Sequence, residues 1–152
     1  DIAVIRGKAG SSTDELRYQA YQDVLTKQGI ALDESKVVQG DWRMGSGYQA
    51  AQTLVKSKAT FTAILSENDD MAIGAMKALT ELGYSLPQDV SIVGFDNSKV
   101  GAFLTPSLTS VSVPLEQMTQ KAILQIVGET EQAQALSMTG SLVIRDSVAP
   151  RV

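Results

Sequence analysis

The sequence predicts an α/β fold built on a doubly wound parallel sheet, and three features predict it. Apolar runs of strand length alternate with amphipathic stretches of helix length along most of the chain. Val90-Ser91-Ile92-Val93-Gly94-Phe95 is a nearly continuous β-branched run, as expected of a parallel strand covered on both faces. Polar residues directly follow two of the strands, Asn68-Asp69 and Asp96-Asn97, at the edge where ligands bind in such sheets.

The elements can be justified in order. Ile2 to Arg6 reads as the first strand and Gly7 to Ser12 as the loop after it. That loop is glycine-rich like a phosphate cradle, but its spacing matches neither the P-loop nor the dinucleotide fingerprint, so helix capping is its expected role. The next helix is expected to open on a Ser12/Glu15 capping box, to turn Leu16, Ala20, Tyr21, Val24 and Leu25 inward, and to stop at Gly29. Val37 to Trp42 forms a second strand, followed by a helix with Ala50, Ala51, Leu54 and Val55 inward. A third strand begins near Phe61. The helix behind it carries Met71, Ala72, Ile73, Ala75, Met76, Ala78, Leu79 and Leu82, too many apolar residues for one stripe, so part of it is expected to meet another subunit. Val90 to Phe95 is the fourth strand. After the Pro106 to Val113 segment, Pro114 opens a helix at its favoured first position, with Leu115, Met118, Ala122, Ile123 and Ile126 inward and Gly128 at its end. A polar connection from Glu129 to Gly140 leads to a last strand over Leu142 to Ser147.

Composition narrows the function. The chain has 152 residues, 43% of them hydrophobic, enough for one continuous core. It contains no cysteine and no histidine, which excludes a disulfide framework, Ser-His and Cys-His catalytic pairs and the usual zinc sites. The absence of cysteine fits a reducing compartment. With 13 Lys+Arg against 17 Asp+Glu the net charge is -4, which opposes a nucleic-acid surface on this chain. Apolar stretches are of strand length, too short to span a membrane. The chain opens directly in a strand, as though an upstream segment had been removed.

Four residues stand out as candidate ligand contacts. Arg17, just over one helical turn in, can bring its donors to the strand ends, or it can be a solvated surface arginine. Trp42 follows the second strand, where its ring can stack on a sugar face or a base, or serve as a core aromatic. Asn68 can orient a ligand hydroxyl or cap the helix that Asp69 and Asp70 begin. Asp96 follows a buried strand directly, where a carboxylate is costly unless solvated or paired; such an acid binds hydroxyls, magnesium or a phosphoryl group.

These residues belong to a longer pattern. Ile2-Ala3-Val4-Ile5, Gly40-Asp41-Trp42, Glu67-Asn68-Asp69 with Met71-Ala72-Ile73-Gly74-Ala75, Leu86-Pro87-Gln88-Asp89-Val90-Ser91, Gly94-Phe95-Asp96-Asn97, Pro106-Ser107-Leu108-Thr109-Ser110-Val111 and Leu142-Val143-Ile144-Arg145-Asp146-Ser147 occur in order. Together they resemble the effector-binding core of the LacI/GalR family of bacterial transcription regulators. The resemblance implies a type I periplasmic-binding-protein-like fold of which this chain is the part after the first crossing between subdomains. On that pattern 1–112 is the C-terminal subdomain, 113–141 a crossover helix and connection that packs on the N-terminal subdomain, and 142–152 a returning strand and tail. The first subdomain and the DNA-binding head lie outside this sequence.

The resemblance also implies function. It points to a cytoplasmic regulator without enzymatic activity, cofactor, metal or membrane partner. Such a protein is a homodimer that senses a small effector, here expected to be a carbohydrate, and touches operator DNA only through its head. Arg17, Trp42, Asn68 and Asp96 fall on effector-contacting positions. Met71, Ile73, Met76 and Phe103 fall on the family's dimer surfaces. Val113 replaces a commonly polar crossover residue, and Glu67 replaces a small one, adding a carboxylate expected beside the cleft. A periplasmic sugar-binding protein of a transport system is the alternative. An enzyme using Asp96 as metal ligand or nucleophile would lack a general base.

Overall fold

The computed structural model describes residues 1–128 and 137–150. Its strands are β1 Ile2–Lys8, β2 Val37–Gly40, β3 Ala63–Ser66, β4 Ser91–Phe95, β5 Thr109–Ser112 and β6 Ser141–Val143. They form one sheet in the order β2-β1-β3-β4-β5-β6. The first five are parallel, and β6 runs antiparallel on β5 with Val143 opposite Ser110. The helices are α1 Ser12–Lys27, α2 Met44–Lys56, α3 Asp69–Glu81 and α4 Leu115–Ile126. The polar connection expected over Glu129 to Gly140 lies, for 129–136, outside the described residues.

Chain order reverses at β1, with β2 on one side and β3, β4 and β5 on the other. Right-handed crossovers therefore put α1 on one face and α2 with α3 on the other. The gap between β1 and β3 is the topological switch point, where loops leave in opposite directions and open a crevice.

The core lies under α2 and α3. Register places Ala3, Ile64 and Ile92 side by side on that face, all fully buried with Ala51, Leu54, Ala72, Ala75 and Leu79. α2 and α3 touch through backbone. A Cβ on Gly47 would stand 2.0 Å from the Met71 carbonyl oxygen, and one on Gly74 would stand 1.9 Å from that of Met44. This close crossing absorbs the apolar excess of α3 within the chain. Met71 is 0% exposed and Met76 is 6% exposed, so neither presents a surface to another subunit, a correction to the expectation from sequence. Ile73 remains half-buried at the edge of the core.

α1 departs from its expected orientation. Leu16 and Val24 are exposed, and the buried residues are Asp14, Tyr18 and Leu25. Asp14 decides the helix's rotation, because it accepts from Arg6 Nε at 3.1 Å, Arg6 Nη2 at 2.6 Å and the Gly7 N–H at 2.9 Å. The Tyr18 ring adds a cation–π contact, 4.1 Å from the Arg6 guanidinium carbon. Charge-assisted bonds of this kind outweigh the burial of one leucine. The helix starts after Ser11, with no side-chain cap bond, so the Ser12/Glu15 capping box is not formed. Gly29 does end it in the left-handed region, with the Ile30 N–H returning to the Leu25 carbonyl.

α4 contains no buried residue, and Leu115, Ile123 and Ile126 are exposed along it. Pro114 sits one position before its first helical residue rather than at it. Phe103, in a 3₁₀ turn over Val100–Phe103, is 87% exposed. No helix of the described residues is long and apolar enough to cross a membrane.

Candidate functional site

At the carboxyl edge of the sheet, beside the switch point, Ser11, Thr13, Arg17, Trp42, Asn68 and Asp96 line a cleft of about 280 Å³. The residues come from the segments after β1, β2, β3 and β4. All four ligand contacts expected from the sequence are brought together here. A larger groove of about 700 Å³ lies away from this edge, and the Arg145 guanidinium beside it is spent on the Leu108 carbonyl and Asn97 Oδ1.

Arg17 is held from three directions. Its guanidinium carbon lies 3.7 Å from the centre of the Phe95 ring and 5.7 Å from that of Trp42, and Nη1 donates to the Glu67 carbonyl oxygen. Its Nη2 stands 3.6 Å from Asp96 Oδ1, a loose pair with the carboxylate half exposed to the cleft. The two charges are therefore poised to share a polar ligand rather than fully satisfied by each other. Burial raises the Asp96 carboxyl above its ordinary value, the Arg17 charge opposes this, and Asp69 and Asp70 add to it.

Asn68 performs the capping role and a second one. Its Oδ1 accepts the Met71 N–H at 2.9 Å, and its Nδ2 donates to the Trp42 carbonyl at 2.9 Å. It thus fixes the residue that carries the indole, while one amide hydrogen remains for a ligand. The Trp42 ring lies flat over Gly7, where a Cβ would come within 2.0 Å of it. Glycine is required there so that the indole can rest on backbone.

The backbone is strained around the cleft. Of the non-glycine residues with positive φ among those described, Trp42 (74°), Asp96 (105°) and Asn97 (53°) sit at this edge, and Lys58 follows α2. Such strain persists where surrounding contacts over-determine it. Here Asp69, almost fully buried, accepts the Ser98 N–H at 2.6 Å and the Ser110 hydroxyl at 2.6 Å, and Ser110 Oγ accepts the Asn97 N–H at 3.0 Å. The loop presenting Asp96 is clamped from below.

Comparison with known proteins places this geometry. A periplasmic binding protein-like domain model matches residues 1–148. The chain belongs to the periplasmic binding protein-like domain family. It is 38% identical over 99% of its length to the HTH-type transcriptional regulator AscG of Escherichia coli, of which it covers 46%. It is 37% identical over 98% of its length to the HTH-type transcriptional repressor PurR of Erwinia tasmaniensis, of which it covers 45%. Among solved structures, it is similar to a sugar-binding LacI-family transcriptional regulator from Escherichia coli complexed with phosphate. That similarity has a TM-score of 0.90 at 37% identity and covers 97% of this chain and 54% of that one. The chain thus spans less than half the length of the curated relatives it matches. These relatives are named as regulators of transcription, not as enzymes.

In this periplasmic binding protein-like domain some of the site escaped sequence reasoning. Ser11 and Thr13 line the cleft although the segment that opens α1 reads as plain capping, and Phe95 supplies the ring under Arg17. Strand alternation alone could have assigned Phe95, since Ile92 and Gly94 of the same strand face α3 and Phe95 therefore faces α1. Glu67 required correction. The sequence places its carboxylate beside the cleft; the structure buries it fully beneath, with Oε2 accepting the Gly7 N–H at 3.0 Å.

Proposed function

We propose that this chain is the effector-binding part of a LacI-type transcriptional regulator, and that Arg17, Trp42, Asn68 and Asp96 bind a small hydroxyl-rich ligand, a sugar. The observation that carries this reading is the pairing of an indole face with a half-exposed carboxylate and guanidinium across one cleft. Arg17 and Asp96 suit hydroxyls through charge-assisted hydrogen bonds, and Trp42 suits the apolar face of a pyranose. A cleft of about 280 Å³ is at the small end for such sites, consistent with one wall of a two-walled pocket. Effector occupancy would act by population shift, favouring one arrangement of subdomains over another. DNA is contacted by a head outside this sequence.

The test is a thermal-shift panel of mono- and disaccharides on wild type and Asp96→Gly. Ligand at about 100 times its Kd stabilises by about 2.7 kcal/mol. Glycine at φ 105° relieves strain, so the variant is expected to melt slightly higher without ligand and to lose the shift with it. A sugar that stabilises both proteins equally would contradict the site.

Dimerisation is proposed through Phe103 and the apolar hollow of about 340 Å³ lined by Met44, Gly45, Tyr48, Ile73, Gly74 and Lys77. In sedimentation equilibrium the wild type is expected to self-associate and Phe103→Glu to do so at least about tenfold more weakly. Equal association of the two proteins would remove Phe103 from the interface.

A further inference from the structure

We propose that Glu67 is a proton-dependent positioning residue of the cleft: it exchanges a proton with solvent, and losing that proton shifts Gly7 and the Trp42 ring resting on it. The geometry beneath the cleft assigns this role. Glu67 is 0% exposed, and its Oε1 is the buried side-chain oxygen without a hydrogen-bond partner among the described residues. The facing groups are few. From β1 come Arg6 and the Gly7 N–H; from α1 come Asp14, Tyr21 and Arg17.

None of them gives the Glu67 carboxylate a full counter-charge. Arg6 is engaged by Asp14 through both Nε and Nη2, and Asp14 also takes the Gly7 N–H. Arg17 donates to the Glu67 backbone carbonyl and faces Asp96 with its other nitrogen. Tyr21 stays a phenol, its own ionisation pushed up to about 12 chiefly by burial. Two buried carboxylates thus share one guanidinium, and the one without it takes a proton from solvent. That proton gives Glu67 a hydrogen bond to Asp14. Burial, with Asp14 adding to it against the Gly7 N–H, pushes the Glu67 carboxyl up to about 7.

Two cleft elements hang on this residue. Its side chain holds the Gly7 N–H beneath the indole, and its carbonyl holds Arg17. Ionisation puts a second negative charge against Asp14 and strengthens the pull on Gly7, so the ring and the cation above respond. The coupling of this proton to effector affinity rests on the function proposed above. The titration itself does not.

The chain offers an unusually clean readout, because it contains one tryptophan, no histidine and no cysteine. Between about pH 5.5 and 8.5 no ordinary side chain titrates, and the amino terminus is at the far end of β1, roughly 20 Å away along the strand. The experiment is a pH titration of intrinsic tryptophan fluorescence in the ligand-free wild type and in Glu67→Gln. The wild type is expected to show a single sigmoid centred near pH 7, and the variant a flat trace at the acid-limit signal. A flat wild-type trace, or the same sigmoid in both, overturns the proposal. If the variant fails to fold, carbon-13 titration of glutamate side-chain carboxyls in the wild type decides instead. One resonance titrating near neutrality supports the proposal, and all of them titrating in the ordinary range refutes it. Since no ligand is present in either experiment, a failed sugar panel leaves both interpretable.

Discussion

Gly74→Ala is expected to destabilise the domain by about 2 to 4 kcal/mol, although helix propensity alone predicts the opposite sign. Gly74 lies within α3, where alanine should contribute up to about 1 kcal/mol by restricting the unfolded chain. Packing overrides that gain. The new methyl would stand 1.9 Å from the Met44 carbonyl oxygen and 2.8 Å from the Tyr48 nitrogen, both of them backbone atoms of α2 that cannot rotate away. Relief requires separating the helices, which uncovers Met71, Ala75 and Leu54 together. Gly45→Ala is the control, since nothing lies within 4 Å of its added carbon. Urea unfolding of the three proteins should show a large loss at 74 and little change, or a small gain, at 45. Equal stability for Gly74→Ala would mean that the helices are not locked at this crossing.

The same crossing shows what the sequence makes legible and what it does not. Alternating strand and helix patterns give the order of elements because burial imposes periods of two and 3.6 on a single chain. Trp42, Asn68 and Asp96 are also legible as candidates, since strand ends are marked by a change from apolar to polar residues, whereas Arg17, inside α1, is told from a surface arginine only through the family resemblance. Rotation of a helix about its axis is harder. Leu16 and Val24 look inward by periodicity, but α1 turns Asp14 in because Arg6, eight positions earlier, supplies a charge on the neighbouring strand. Met71 and Met76 look like surplus apolar surface until Gly47 lets α2 lie directly on α3. Glu67 is the sharpest case. Its place next to Asn68 reads as cleft-side, yet alternation along the chain turns it the other way, where the Gly7 N–H and the buried space beside Asp14 hold it beneath. Each failure lies in a pairing between different elements, which the period of a single element does not encode.

Stability should fall as pH rises through neutrality, and Glu67→Gln should remove most of that fall, the raised Asp96 carboxyl contributing in the same sense. The folded protein keeps the Glu67 proton up to about 7, whereas the unfolded chain releases it near 4.5. Between those values the folded state binds more protons than the unfolded, so raising pH favours unfolding. The contribution is fully present below about 4.5 and lost above about 7, a difference of about 3 kcal/mol, of which about 2.5 kcal/mol falls between about pH 5 and 8. Most acid-sensitive domains behave in the opposite sense, gaining stability over that range from paired carboxylates and neutral buried histidines. This chain has no histidine to mask the effect. Asp33, Asp41 and Glu81 are held below their ordinary values by hydrogen bonds, from Ser35 to Asp33, from Ser46 to Asp41 and from Lys77 to Glu81, so they ionise before the window opens. Glutamine keeps the size of the protonated acid and cannot ionise. Urea midpoints at the two ends of the range should therefore diverge, with the variant the more stable protein at the alkaline end and close to wild type at the acid end. Parallel profiles would place the Glu67 ionisation outside the window and leave its carboxylate charged in the folded state.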